Sequence, residues 1–458
     1  MFAHDLRSRY SSAATPIGAL LVIVAIVCPS SPALRAQAQI DGDRPAIVAP
    51  AVIDPLMLEG LGSLLPWQRI EAVLTFHSMP TPVDLTVIRA MGVELVSFRA
   101  LPMVGVRGTP AQIRALFNLA GLRSVYYNRQ LTYFLDESVP LIGADRVSQQ
   151  WGVTGAGVVI AIVDSGVDAT HADLAFGAKV IQNVKVAPNL FGPGPLVLQN
   201  LPNSDTNSGH GTHVASTAAG TGAALGGKYR GVAIGADLVG VSAGDVLWML
   251  SALQGLDWVL QNHAAYRIRV INNSWGTHGA FSMDDPINVA TQAAHDQGMT
   301  VVFAAGNDGP YFDTLNPYCV AAWVICVAAG NKDGRTLADF SSRGIPGDSL
   351  YHPTITAPGV NIAAARATTG IFLNTYYPPA QLGIGFDAAY YAVLSGTSQA
   401  TPHVSGTVAL MLAANPELTP DGIKALLIAT ATAMPGYGEA EVGAGYLNAY
   451  EAVSAAQP

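Results

Sequence analysis

Three stretches of the chain carry no alternation of polar and apolar residues: VVIAIVDSG (158–166), RVINNSWG (269–276) and TVVFAAGN (300–307). A strand with one wet face must alternate, because successive side chains point to opposite faces of the sheet. Stretches of this length that do not alternate therefore describe strands covered on both sides. Helical stretches such as DVLWMLSALQGLDWVLQNH (245–263) lie between them. Strand and helix in alternation specify an α/β fold with a doubly wound, mostly parallel sheet. Ligands of such sheets sit at the carboxyl ends of the strands. The three runs end there in Asp164-Ser165-Gly166, Ser274-Trp275-Gly276 and Gly306-Asn307. A large core is within reach, since half of the 458 residues are hydrophobic and 12% are charged.

The chain ahead of this sheet reads differently. Arg7 and Arg9 precede an apolar run from Ile17 to Cys28, and Ala36-Gln37-Ala38 has the small-x-small form of a signal-peptidase site. Residues 1–38 are thus expected to be a signal peptide. The run is short for a membrane span, and an uncleaved anchor is the alternative. Cys28 raises a lipoprotein box, against which the bulky Val27 before it counts. Export implies a secreted protein, extracellular or periplasmic, with no membrane attachment after cleavage.

Residues 39–66 are rich in Pro and Ala and read as a linker. From Trp67 to Tyr133 the order is strand (IEAVLTF), helix (VDLTVIRAMG), two strands (VELVSF, MVGVRG), helix (TPAQIRALFNLAG) and strand (LRSVYYN). Thr109-Pro110 suits a helix N-cap and first position. The β-α-β-β-α-β order is that of a small ferredoxin-like α+β unit, which by itself says nothing of chemistry.

Acyl transfer by a serine needs a base in reach, an acid to orient it and donors for the oxyanion. Asp164 ends a strand, His210 lies in SGHGTHVASTAAG, and Ser398 lies in SGTSQATPHVSG between small residues and ahead of Pro402. A lone serine before a helix is ordinarily an N-cap. The order Asp, His, Ser is that of subtilisin, and the segments DSG, HGTH and GTSxATPHVSG together closely resemble the subtilisin-like serine proteases, or subtilases. The likeness runs from about Thr154 to Val453, through AAGN, LADFSSRG, ITAPGVNI and GAGYLNAYEAV.

The resemblance implies a serine endopeptidase with Asp164, His210 and Ser398 as triad and Asn307 as side-chain oxyanion donor beside the Ser398 N–H. It implies that Ser274, Trp275 and Gly276 pair with a substrate strand and, with Ala304, Ala305 and Gly306, wall the P1 pocket. The upstream unit, residues 39–133 with its linker, then resembles the family's propeptide, an intramolecular chaperone and inhibitor of the catalytic domain 134–458. The mature chain would begin between Leu131 and Ser138, with Tyr133–Phe134 as the boundary. Substrates would be extended polypeptides, the state a monomer, and the chemistry requires no cofactor. Gln399 departs from the methionine usual after the nucleophile; Pro402 is expected in the first helical turn.

Asp173 matches a position that holds structural calcium in many relatives, although TGAALGGKYRG (221–231) has few oxygen side chains to complete such a site. A surface or capping aspartate is the alternative, and Asp168 is similarly open. Outside the cytoplasm Cys319 and Cys326 form a disulfide or remain buried thiols. His213 reads as structural, NSDTNSG (203–209) as a solvated loop, and residues 345–392 lie between recognisable motifs. With net charge −9 and no Lys/Arg-rich run, nucleic acid is not an expected partner. A non-cutting scaffold on the same fold and an α/β-hydrolase remain as competing classes. An intact triad with Asn307 argues against the first, and the lack of GxSxG around Ser398 against the second.

Overall fold

The computed structural model describes residues 51–128, 132–133, 138, 140–187, 189, 195–244, 248–376 and 387–458. The expected signal peptide (1–38) and the first part of the linker lie outside the described residues.

The small unit runs β1 (Val52–Ile53), α1 (Pro55–Ser63), β2 (Ile70–Phe76), α2 (Pro82–Ala90), β3 (Glu94–Ser97), β4 (Met103–Gly108), α3 (Pro110–Leu116) and β5 (Leu122–Tyr127). Its sheet order is β1-β5-β2-β4-β3, the ferredoxin-like arrangement with one added edge strand. Thr81 and Thr109 each cap a helix in a reciprocal capping box, with Pro at the first turn. The linker expectation fails over its second half. Asp54 accepts from the Leu56 N–H and starts α1, which buries Met57 and Leu61 in the small unit's core. An Asp-Pro start signal outweighed the Pro/Ala composition there.

The large unit continues with β6 (Thr132–Tyr133), α4 (Ala144–Trp151), β7 (Val159–Asp164), β8 (Val180–Ala187), β9 (Leu196–Leu198), α5 (His210–Ala219), β10 (Asp237–Ser242), α6 (Met249–Tyr266), β11 (Ile268–Asn273), β12 (Trp275–Gly276), α7 (Pro286–Asp296), β13 (Thr300–Ala304), β14 (Val324–Gly330) and β15 (Ile355–Pro358). There follow β16 (Ile362–Ala365), α8 (Ile371–Tyr376), α9 (Asp387–Tyr390), β17 (Tyr391–Leu394), α10 (Thr397–Ala414), α11 (Pro420–Ala429), α12 (Glu439–Val442) and α13 (Ala449–Ala456). The main sheet has the order β15-β14-β13-β11-β7-β10-β8-β9, parallel except for the β8–β9 pair. Along β7, Ile160 and Ile162 pack with α5 and α10, whereas Val159, Ala161 and Val163 pack with α6 and α7. Both faces of the strand are dry, which is why its sequence does not alternate.

One face of the small sheet covers α1–α3. The other, through Val73, Val96, Met103 and Tyr126, joins the core that contains α6. Polar contacts fix the docking: Asp257 on α6 accepts from the Arg99 and Ala100 amides, and Asn128 accepts from the Leu250 N–H at 2.6 Å. Arg123 pairs with Asp284. A Cβ on Gly105 would come 2.5 Å from the Leu250 side chain, so glycine lets the strand lie against α6 without displacing Leu250.

Candidate active site

Asp164 ends β7 fully buried, and its Oδ1 accepts from His210 Nδ1–H at 2.7 Å and from the Ser165 N–H at 2.7 Å. Donation by Nδ1 leaves Nε2 as the basic nitrogen of His210. His210 is the first residue of α5, whose N-cap, Gly209, has no side chain to bond the free amides. The surrounding loops supply the acceptors instead. Asp205 accepts from Gly209 and Thr212, Ser208 from the His210 N–H, and Ser165 from the Gly211 N–H.

The reading of 203–209 as a solvated loop is therefore corrected: Ser204, Asp205 and Ser208 are buried, and Asp205 is a remote helix cap. Burial pushes its carboxyl up to about 6, against the pull of the Thr212 and Gly209 hydrogen bonds. Polar composition did suggest exposure. The helix amides downstream had a stronger need for an acceptor.

Ser398 is the second residue of α10, after Gly396 and Thr397, and is fully buried. Its hydroxyl donates to the Ser274 carbonyl at 2.8 Å. Asn307 is turned by Thr397, whose N–H and hydroxyl both donate to its Oδ1 at 2.9 and 3.0 Å. That orientation presents the Nδ2 amide as a donor at the head of α10, where first-turn amides and the helix dipole also favour negative charge.

Trp275 and Gly276 form β12, and Ala304 ends β13. Buried Asn316, which the sequence reading missed, bridges these walls by donating to the Trp275 and Ala304 carbonyls. Gly306 has φ 111°, and its N–H donates to Thr397 Oγ1. Behind α10, Gln399 donates its amide to His213 Nδ1, and His213 Nε2–H faces the Ile362 and Ala392 carbonyls. Burial pushes His213 down to about 3, so the ring is neutral and its tautomer set. Cys319, at the end of the short turn Pro317–Cys319, and Cys326 in β14 are joined in a disulfide.

Asp173 is held by donors. Its Oδ1 accepts from the Ala224 N–H at 2.9 Å and its Oδ2 from the Tyr391 hydroxyl at 2.8 Å. The Gly222 carbonyl, which could face an ion, accepts instead from the Leu225 and Gly227 amides. The same loop carries Lys228 and Arg230 and no carboxylate. Among the described residues no group of three or more acidic, His or Cys side chains could hold a metal. These surroundings do not fit calcium, and the capping alternative describes the geometry. Tyr391 belongs to β17, so one role of the unassigned 345–392 stretch is to close over Asp173. Tyr391→Phe should lower stability by about 1.5–3 kcal/mol, the range for a hydrogen bond to a charged group. Asp173→Asn should leave the response of the melting temperature to EDTA as it is in the wild type; a smaller EDTA response in that variant would mean that Asp173 holds a metal.

A buried Asp–His pair, a serine at a helix head and an amide beside it, all at the carboxyl ends of parallel strands, define a serine hydrolase site on an α/β scaffold. The subtilase family model matches residues 155–446. The serine protease AprX of Bacillus subtilis (strain 168) is 33% identical over 336 residues, covering 70% of this chain and 72% of the relative. An extracellular serine proteinase of Thermus sp. (strain Rt41A) is 29% identical over 371 residues, 77% of this chain and 78% of that one. The crystal structure of fervidolysin from Fervidobacterium pennivorans, described as a keratinolytic enzyme related to subtilisin, has the same fold, with TM-score 0.67 and 23% identity. That match covers 88% of this chain, which spans 63% of the fervidolysin chain. The chain belongs to the subtilase family and is a subtilisin-like serine endopeptidase.

Proposed function

We propose that the protein is a secreted endopeptidase, made as an inactive precursor, that cuts extended polypeptides through Asp164, His210 and Ser398. Ser398 Oγ attacks the scissile carbonyl carbon while His210 Nε2 takes its proton. Asp164 holds the ring and stabilises the imidazolium. The oxyanion is met by Asn307 Nδ2 and the Ser398 N–H. Collapse expels the amine, which takes the proton from His210, and water then releases the acyl group by the same steps in reverse.

The observation that carries this reading is a strand pair. Thr132 and Tyr133 lie antiparallel to Gly276 and Trp275, with Trp275 opposite Tyr133. Ser274, the next residue along, is the one whose carbonyl accepts from the Ser398 hydroxyl. A segment added as a strand here presents its backbone to the nucleophile. The small unit therefore ends as a product would, and acts as an inhibitor until removed. We place the processing cut at Tyr133–Phe134 or one residue beyond; Phe134 lies outside the described residues. The extracellular naming of a relative supports export. Neither step needs a metal or cofactor.

Phenylmethanesulfonyl fluoride tests the serine directly. Peptide mapping should find one adduct, on Ser398, formed in step with loss of casein hydrolysis, and His210→Ala should slow labelling severely. Casein hydrolysis that persists with Ser398 unlabelled would overturn the assignment.

A further inference from the structure

Pro402 is the sixth residue of α10, not part of its first turn as the sequence suggested. In a continuous α-helix its N–H would bond the carbonyl four residues earlier, which is that of Ser398. Proline has no N–H, so the peptide carbonyl of the nucleophile is left without its helical donor, deep in the protein. The structure fills the gap from outside the helix: the Ser274 hydroxyl donates to the Ser398 carbonyl at 2.7 Å.

Ser274 is itself held. Asn272 Nδ2 donates to Ser274 Oγ at 2.9 Å, and Ser405 on α10 donates to Asn272 Oδ1 at 2.8 Å. Asn272, Ser274, Ser398 and Ser405 are all fully buried, so water does not compete for these bonds. Ser405 holds the Asn272 amide so that its Nδ2 faces Ser274 Oγ as a donor, which leaves the Ser274 proton for the Ser398 carbonyl. In return the Ser398 hydroxyl donates to the Ser274 carbonyl. The two residues exchange hydrogen bonds, each through the other's backbone.

We infer that the Ser274 hydroxyl is a positioning group for Ser398, and that Pro402 is what makes it necessary. Proline vacates the Ser398 carbonyl so that Ser274, at the entry to the strand on which substrate is expected to lie, can fasten the nucleophile's peptide to that strand. The distance between substrate backbone and nucleophile is then set by one buried contact instead of by helix geometry alone. This role is separate from the Ser274 backbone carbonyl, which any side chain at that position would retain. The inference rests on the proposed role of Ser398.

The test is a double-mutant cycle, with kinetics normalised to active sites titrated by phenylmethanesulfonyl fluoride and with melting temperatures measured alongside. Ser274→Ala should lower kcat about tenfold and leave KM within about twofold, since misplacement of a reacting group acts on the chemical step. Pro402→Ala alone should change little, because Ser274 already occupies the carbonyl. Ser274→Ala combined with Pro402→Ala should recover most of the lost kcat and melting temperature, because an alanine in place of Pro402 supplies the N–H that the helix lacked.

A purely structural serine would lower the melting temperature and leave kcat per active site intact, which overturns the inference. So does a double variant no better than Ser274→Ala. Should Ser274→Ala fail to fold, Ser274→Cys, near in shape and a weak donor, is read in its place with the same expected rescue. The melting-temperature cycle does not depend on turnover. A wild type that neither labels nor turns over counts against the proposed function, whereas a missing rescue counts against the Ser274–Pro402 coupling.

Discussion

Asp164→Asn should reduce kcat by about 10⁴-fold, the loss seen when the orienting acid of a serine-protease triad is made an amide. The reason lies in the 2.7 Å contact between Asp164 Oδ1 and His210 Nδ1. The carboxylate is fully buried, and its Oδ2 has no hydrogen-bond partner among the described residues. Its charge is therefore neutralised chiefly by the imidazolium that forms as Ser398 gives up its proton. An amide keeps the shape and removes that charge, and its NH2 can also turn toward Nδ1 and force the wrong tautomer. Either effect falls on the step in which His210 becomes cationic. The substitution leaves alone Trp275 and Gly276, the residues proposed to hold the substrate backbone, so KM for a peptide p-nitroanilide should stay within about threefold. A drop in kcat below about 100-fold would mean that Asp164 does not orient the base.

Much of this site was legible from residue patterns because its demands are local. The unbroken apolar run of β7 announced a strand covered on both faces, and its end delivered Asp164 where such sheets bind ligands. His210 and Ser398 stood in glycine-bearing turns ahead of helices, and both begin helices. The small unit was readable from its order of elements and from one cap, Thr109 with proline following, whereas the matching cap at Thr81 emerged only in the structure.

What was not legible depends on partners distant in sequence. Tyr391 meets Asp173 across a separation of 218 residues, and nothing near either residue signals the other. Asp205 looked like one more polar loop residue until the bare N-terminus of α5 appeared beside it. Pro402 was misplaced because the start of a helix is hard to fix to within one turn. Its purpose became readable only when Ser274 was found on the vacated carbonyl.

Ser398→Ala carries the largest effect. Removal of the nucleophile should cut peptidase activity by about 10⁶-fold, as triad deletion does in subtilisin. It should also leave the precursor whole. The alanine keeps the helix, the Asn307–Thr397 contact and the strand pair between residues 132–133 and 275–276, so the small unit should stay docked on α6 and α7. The same substitution thus separates chemistry from folding.

The intact masses of purified wild type and Ser398→Ala, expressed side by side, are the direct measurement. The expected result is a wild type that has lost the segment through Tyr133, or the residue after it, and a variant that retains the small unit. Retention of the segment in both folded proteins, or its loss at the same bond in both, would contradict self-processing by Ser398.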